Sequence, residues 1–126
     1  MGYYAQLRSS KIYIQHEALV AEFLNNGPLI KVLRTERTIN CLNAFINALA
    51  DTVNLDNKGN VTGLSYGRSK VGWQDSFFSK LAPLVQSGSY LEFVGEEQEI
   101  WRYLFCNDKV FEQWPTKITI TYPKVA

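Results

Sequence analysis

The last third of the chain is divided into strand-length runs by short turn-forming segments, and this pattern constrains the fold more than any other feature. The four runs are Ser89–Val94, Glu99–Cys106, Val110–Trp114 and Lys117–Tyr122. The segments between them are Gly95–Gln98, Asn107–Lys109 and Pro115–Thr116. Runs of this length between Gly, Asn, Asp and Pro residues are typical of strands joined by tight turns. The sequence therefore predicts a four-strand antiparallel meander.

The alternation of side chains indicates where two of these strands lie in the sheet. One face of the second run is aromatic, with Trp101, Tyr103 and Phe105. The other face is largely apolar as well, with Ile100, Arg102, Leu104 and Cys106. Because both faces are mainly apolar, we expect this strand to be central. In the last run, apolar residues alternate with Lys and Thr, so one face of this strand should be exposed to solvent. It is therefore a better candidate for an edge strand than the second run is.

The first half of the chain mixes strand and helix patterns. Residues 3–14 alternate in the manner of a strand that is interrupted near Ser9 and Ser10, and we expect a first strand or a hairpin here. Residues 15–25 carry apolar side chains at helical spacing, and the following Asn, Gly and Pro residues favour a helix stop. The apolar run Leu29–Arg34 fits either type. The strongest helical pattern of apolar residues follows this run, and it predicts a helix with Thr38 as its N-cap that ends near Ala50.

Between these helices and the meander, we expect a hairpin and a further helix. Val53–Leu55 and Val61–Tyr66 flank a turn-rich segment in which Asn and Gly readily adopt positive φ. The helix begins near Trp73. Pro83 predicts a kink or a break close to residues 80–82, because proline cannot donate the helical hydrogen bond.

Taken together, these patterns predict a single α+β domain over residues 1–126. Its antiparallel sheet consists of the C-terminal four-strand meander plus the N-terminal strand, and it packs against two to three helices. A chain of 126 residues, 46% of them hydrophobic, is large enough to bury its own core. Lys and Arg number 13 and Asp and Glu number 12, so the net charge is +1. Dedicated nucleic-acid binders usually carry a larger positive excess.

The N-terminus and the cysteines bear on the compartment. Residues 1–6 lack the basic and apolar segments of a signal peptide, and no window is as apolar as a membrane span. We therefore expect a cytoplasmic protein without a membrane partner. Cys41 and Cys106 have no Cys or His neighbour at the spacing of metal ligands. We expect two buried free thiols rather than a disulfide.

Residue types that perform catalysis do not form a recognisable set. The single histidine, His16, has Glu17 beside it but no third member of a triad and no second metal ligand. Four carboxylates lie close together, at Glu92, Glu96, Glu97 and Glu99. Their place around an exposed turn favours a solvated turn over a paired-acid or cation site. The loop glycines match neither a P-loop nor a dinucleotide motif. We expect no enzyme activity, no catalytic or metal-binding residues and no cofactor.

Binding candidates are defined by basic and aromatic residues in exposed or unusual positions. They are Arg68, Lys70, Trp73, Arg102 and Trp114. Arg102 interrupts an apolar face, so its guanidinium must be paired, stacked or open to a cleft, and a cross-strand pair with Glu92 is favoured over anion binding. Trp73 and Trp114 are the tryptophans whose burial the pattern supports least. The basic residues of the loop could extend into a patch with Lys31, Arg34 and Arg37.

The segment Gly88–Phe105 reads Gly-Ser-Tyr-Leu-Glu-Phe-Val-Gly-Glu-Glu-Gln-Glu-Ile-Trp-Arg-Tyr-Leu-Phe, and the chain opens with Met-Gly-Tyr-Tyr. This combination resembles a family of small uncharacterised proteins from phages, prophages and bacteria, which share the opening and the Gly-Ser-Tyr, Gly-Glu and Trp-Arg pairs. Those proteins usually have Gly-Glu-Asp-Gly-Glu where Gly95–Glu99 stands here, so the second glycine of the turn is absent. The resemblance implies an α+β domain with a phage-related or defence-related role and no enzyme activity.

We therefore expect a small non-enzymatic binding or protein-interaction domain, and the resemblance suggests a phage-related or defence-related inhibitor. The alternatives are a single-stranded nucleic-acid binder that stacks bases on sheet aromatics, and a sensor of a small ligand such as a nucleotide. The expected partner is another protein. We also expect a weak homodimer through the C-terminal strand or an exposed aromatic patch, unless the N-terminal strand Tyr3–Leu7 covers that edge.

Overall fold

The structure is a computed structural model that describes residues 4–67, 69–70 and 74–115. Its strands are β1 (Tyr4–Lys11), β2 (Thr52–Leu55), β3 (Val61–Ser65), β4 (Ser69–Lys70), β5 (Tyr90–Gly95), β6 (Ile100–Cys106) and β7 (Lys109–Gln113). Its helices are α1 (His16–Leu24), α2 (Pro28–Glu36), α3 (Leu42–Asn47) and α4 (Gln74–Leu81), with a 3-10 helix (Ala82–Leu84) directly after α4. The α+β fold class is confirmed.

The main sheet has five strands in the order β4-β1-β5-β6-β7, and every neighbouring pair is antiparallel. Strands β2 and β3 form the separate predicted hairpin. β5, β6 and β7 are the first three strands of the predicted meander, and β6 is interior because it pairs on both sides. The fourth predicted run, Lys117–Tyr122, lies outside the described residues.

The N-terminal strand β1 joins the sheet beside β5. Its register shifts between Leu7 and Ser9, so Arg8 is an extra residue in a β-bulge. This bulge accounts for the predicted interruption near Ser9, and the strand continues to Lys11. At its other edge, Tyr4 and Ala5 pair with β4.

Two hairpin turns contain residues with positive φ. Between β6 and β7, Asn107 and Asp108 have φ values of 52° and 64°, the combination of a type I′ turn. Between β5 and β6, the Gln98 N–H donates to the Gly95 carbonyl at 3.1 Å, and Gln98 has a φ of 67°. A residue with a Cβ is strained in this region, where glycine is favoured. The tight turn therefore forms with a glutamine in the position of positive φ.

The run Leu29–Arg34, which fitted either type of element, is helical and lies within α2. The helix starts at Pro28, and proline is favoured at the first helical position because its missing N–H would have had no partner there. The Glu22 carboxylate accepts from the Ile30 N–H at 3.0 Å and so satisfies another free donor at this helix start.

The prediction of a helix with Thr38 as its N-cap is wrong. Residues 38–40 are not helical, and α3 begins only at Leu42, after Cys41 in the N-cap position. Ile39 is buried at 5% exposure, and its carbonyl accepts from Arg34 Nε at 3.3 Å. These contacts hold the segment in an open conformation that the helical spacing of apolar residues did not reveal. The predicted break before Pro83 is confirmed, because α4 ends at Leu81.

The helices pack against one face of the main sheet. The inner-face residues of β5 and β6 share one core cluster with helical residues; they are Leu91, Phe93, Trp101, Tyr103 and Phe105. Phe78 of α4 lies among these rings, with its centroid 4.9 Å from that of Tyr103 and 6.0 Å from that of Phe105. These inner-face side chains are therefore buried in the core.

The loop between β2 and β3 holds the start of α1. The Asp56 carboxylate accepts from the Lys58 N–H at 2.9 Å, and from the Asn60 N–H at 2.9 Å and Nδ2 at 3.0 Å. These bonds, above all the one from the Asn60 side chain, lower the pKa of Asp56. Asn60 Oδ1 in turn accepts from the His16 N–H at 2.8 Å. The loop thus supplies a cap to a helix distant in sequence.

The prediction of two buried thiols is wrong, although both cysteines are free. Cys41 is exposed because it precedes α3 instead of lying in the apolar stripe of a longer helix. Cys106 is half-buried because it lies on the face of β6 that points away from the core. Among the described residues, no helix is both long enough and apolar enough to cross a membrane.

Candidate binding face of the sheet

The main sheet has a second face, on which the side chains are half-buried or exposed. The strand registers align its residues in three rows across the sheet. The first row is Lys11, Tyr90, Leu104 and Phe111; the second is Ser9, Glu92, Arg102 and Gln113; the third is Gln6, Val94 and Ile100. We call these three rows, together with Arg8 of the bulge, the outer face. None of its apolar side chains belongs to the core cluster.

The middle row contains a carboxylate between two guanidinium groups. Arg8 Nη1 lies 2.7 Å from Glu92 Oε2, and Arg102 Nη2 lies 2.9 Å from Glu92 Oε1. The Glu92 side chain is only 12% exposed, whereas Arg8 is 52% and Arg102 39% exposed. Each oxygen of the largely buried carboxylate therefore has its own charged donor. The predicted pair of Glu92 and Arg102 is confirmed.

Arg102 is held on a second side by an aromatic ring. Its Cζ lies 4.1 Å from the ring centroid of Tyr90, within the range of a cation–π contact. The arginine side chain carries five N–H donors, two of them on Nη2, and one of these two donates to Glu92. The Nε and Nη1 groups of Arg102 have no hydrogen-bond acceptor among residues 4–67, 69–70 and 74–115. The side chain is thus fixed in place with part of its donor capacity unused.

The rows on either side of the ion cluster are largely apolar. Phe111 is 49% exposed, and Tyr90, Leu104, Val94 and Ile100 are half-buried. Apolar side chains that adjoin one another outside the core, as Tyr90, Leu104 and Phe111 do, are characteristic of surfaces that contact other molecules.

The charge of this side of the sheet is positive. Its cationic side chains are Arg8, Lys11 and Arg102, and its carboxylate is that of Glu92. Three positive charges and one negative charge make a balance of +2 on the outer face, compared with +1 for the whole chain. The outer face therefore carries a net positive charge.

A cleft opens at one end of the outer face, where β7 ends. It has a volume of about 340 Å³ and is lined by Glu92, Ile100, Trp101, Arg102, Gln113, Trp114 and Pro115. The rings of Trp101 and Trp114 are stacked, with centroids 5.1 Å apart and an interplanar angle of 15°. Trp101 is buried at 3% exposure, whereas Trp114 is 51% exposed. The cleft therefore combines the half-exposed indole ring of Trp114 with the fixed guanidinium group of Arg102.

Of the five binding candidates, the structure brings two together. Arg102 and Trp114 line the same cleft, and Trp114, one of the two tryptophans whose burial the pattern supported least, is 51% exposed. Arg68 and Trp73 lie outside the described residues, and Lys70 is described only by its backbone pairing with Tyr4 in β4. The proposed grouping of these three residues therefore stays a prediction.

Sequence reasoning missed three residues of this face. Arg8 was part of a strand pattern, but its contact with Glu92 depends on β1 lying beside β5 and on the bulge. Tyr90 and Phe111 occupy outer-face positions that alternation alone could have identified, because Tyr90 pairs with Leu104, and Leu104 with Phe111. The missing signal was which face the helices cover.

The other constellations considered from the sequence do not form a site in the described part of the chain. His16 Nδ1 is buried without a hydrogen-bond partner against Gly59, and no metal-holding group of His, Cys, Asp and Glu occurs there. Glu92 lies in the ion cluster, apart from the exposed Glu96 and Glu97 of the turn. In the basic series of α2, Arg34 bonds Asn26 and the Ile39 carbonyl, so it serves the local fold.

Comparison with protein-family models, with curated proteins and with solved structures finds no match to this chain.

Proposed function

We propose that this chain is a small non-enzymatic binding domain whose outer face docks an acidic surface of another protein. The observation that carries the proposal is the arrangement of side chains on the outer face. An ionic row lies between two largely apolar rows, and none of these apolar side chains belongs to the core cluster. Aromatic residues and arginine are enriched in protein interfaces, and this face supplies both. Phe111, which is 49% exposed, is the apolar anchor that a partner would cover.

The charge of the outer face supports an acidic partner. Its cationic side chains outnumber its carboxylates by three to one, and complementary potentials accelerate encounter and suppress wrong partners. Two copies of the same face would bring like charges together, so an acidic protein fits better than a second copy. The homodimer expected from the sequence remains a separate prediction, because the strand assigned to it, Lys117–Tyr122, lies outside the described residues.

One feature of the outer face favours a protein over a single-stranded nucleic acid. The ring of Tyr90 is already covered by the Arg102 guanidinium and offers one face fewer for base stacking. The test must therefore be able to detect binding of nucleic acid as well as of protein.

The test introduces the photo-crosslinking residue benzoylphenylalanine in living cells, at the position of Phe111 in one variant and of Leu24 in another. Leu24 is a matched control, because it is a large apolar residue that is 72% exposed at the end of α1. We expect a protein adduct from position 111 that does not form from position 24. An adduct to nucleic acid, or the same adducts from both positions, would overturn the proposal.

A second measurement uses the protein identified in this way. Phe111→Glu places a like-charged group against an acidic partner and removes an apolar anchor, so we expect its affinity to fall by about tenfold or more. Leu24→Glu adds the same charge elsewhere and is expected to leave the affinity unchanged. Affinity is measured by titration calorimetry at two salt concentrations, and the wild-type affinity should fall as salt rises. Equal affinities of the two variants would contradict docking on the outer face.

A further inference from the structure

The cleft at the end of β7 contains an aromatic stack that stops at the surface. Phe93 and Trp101 are stacked at 6.1 Å with an interplanar angle of 22°, and Trp101 continues the stack to Trp114. The exposed fractions of these side chains rise along the stack, from 0% for Phe93 through 3% for Trp101 to 51% for Trp114. The last ring therefore offers an aromatic surface on a rigid support.

The same cleft contains unused hydrogen-bond donors of fixed position. Glu92 and Tyr90 hold the guanidinium of Arg102 from two sides, while its Nε and Nη1 groups have no acceptor in the described ranges. Together Arg8, Glu92 and Arg102 carry a net charge of +1, so the cluster still attracts an anion. A guanidinium binds a carboxylate particularly well because its N–H groups form a planar fork.

We propose that this cleft binds an aromatic side chain of the partner protein together with a carboxylate next to it, the ring on Trp114 and the carboxylate on Arg102. The volume of about 340 Å³ lies at the lower end of the range of ligand pockets, enough for one ring and a short chain. This inference rests on the proposed function, since Glu92, Ile100, Arg102 and Gln113 belong both to the cleft and to the outer face.

A protein segment fits the cleft better than a free metabolite does. Small-molecule sites usually enclose most of their ligand, whereas half of the Trp114 side chain is open to solvent. A ring bound here gains affinity from the rest of the partner on the adjoining rows, as an anchor residue does at the border of a larger interface.

The test uses two small probes with the full-length chain: N-acetyl-phenylalanine, which has a ring and a carboxylate, and N-acetyl-phenylalaninamide, in which the carboxylate is replaced by a neutral amide. Binding is followed through the backbone amide signals of Arg102 and Gln113 in ¹H–¹⁵N NMR spectra. For a fragment of this size we expect a dissociation constant on the order of 1 mM for the acid. The amide should bind about fivefold more weakly, because it lacks the charge-assisted hydrogen bonds.

Variants separate the two parts of the cleft. In Arg102→Gln the acid and the amide should bind with about equal affinity, because the charge-assisted bonds are lost while ring binding persists. Trp114→Ala should lower the affinity for both probes by about tenfold. Leu24→Ala, far from the cleft in sequence and exposed, is the control and should bind as the wild type does. The signals outside the cleft report whether each variant is folded.

Several results would overturn the inference: no binding of either probe to the wild type, equal affinities of acid and amide, or unchanged binding by Trp114→Ala. Its failure is distinguishable from failure of the proposed function. If the probes do not bind but Phe111→Glu loses the crosslinked partner, only the cleft is wrong. If the acid binds with micromolar affinity by itself and Phe111→Glu keeps its partner, the cleft holds a free ligand and the protein-docking proposal is wrong.

Discussion

The ion cluster of the outer face predicts a loss of stability that depends on how many of its donors are removed. Arg8→Met removes the more exposed donor, and we expect the free energy of unfolding to fall by about 0.5 kcal/mol, as for an exposed ion pair. Arg102→Met removes an ion pair and the contact with Tyr90 at 4.1 Å, and the expected loss is about 1.5 kcal/mol. Methionine retains most of the apolar stem of arginine, so packing changes little.

Removing both arginines leaves the Glu92 carboxylate without either charged donor, although its side chain is only 12% exposed. A largely buried polar group without a partner costs a further 1 to 3 kcal/mol, roughly. The expected loss for Arg8→Met/Arg102→Met is therefore about 3 to 5 kcal/mol, compared with about 2 kcal/mol for the sum of the single variants. Adding Glu92→Gln removes the unpaired charge, and we expect it to restore about 1 kcal/mol to the double variant.

The measurement is urea unfolding followed by far-UV circular dichroism, with the wild type, both single variants, the double variant and the triple variant under the same conditions. The slope of the free energy against urea should stay constant, which shows that the unfolded states are comparable. Strictly additive losses, or a triple variant no more stable than the double variant, would refute the reasoning. Either result would mean that Glu92 is hydrated well enough to need neither arginine.

Three further outcomes follow from other parts of the fold. Gln98→Gly should stabilise the protein by about 0.5 kcal/mol because it relieves the positive φ of that residue, whereas Glu97→Gly in the same turn should destabilise it by a similar amount; thermal unfolding that shifts both variants in one direction would contradict this. The folded-state pKa of Asp56 lies below its ordinary value of 3.8, so its contribution to stability is present above that pH and is lost as the pH falls through the lowered value; in acid titrations Asn60→Ala should make this loss smaller. Phe78→Ala should cost about 3 to 5 kcal/mol in urea unfolding, since the ring is fully buried, and a loss under 1 kcal/mol, roughly, would show that the core collapses around the gap.

Sequence by itself determined the parts of the fold that depend on neighbouring residues. The alternation of β5 and β6 around the turn at Gly95 sets their register, and this register alone brings Glu92 opposite Arg102. The end of α4 before Pro83 follows from the missing N–H of proline. These features were predictable because strand period, turn residues and helix breakers act over a few positions of the chain.

Only the tertiary structure decided which face of the sheet is covered and which residues meet across the chain. Arg8 reaches Glu92, 84 positions away, because β1 lies beside β5 and contains a bulge. Ile39 is buried in a segment that is not helical, although its spacing in the sequence continues a helical pattern. The ring of Trp114, which follows the end of β7, stacks on the ring of Trp101. Such contacts depend on burial and pairing between distant segments, and these can outweigh local preferences of a fraction of a kcal/mol to about 1 kcal/mol per residue. The candidate site has the same origin: its residue types are readable in the sequence, whereas the surface they form together exists only because the helices cover the opposite face.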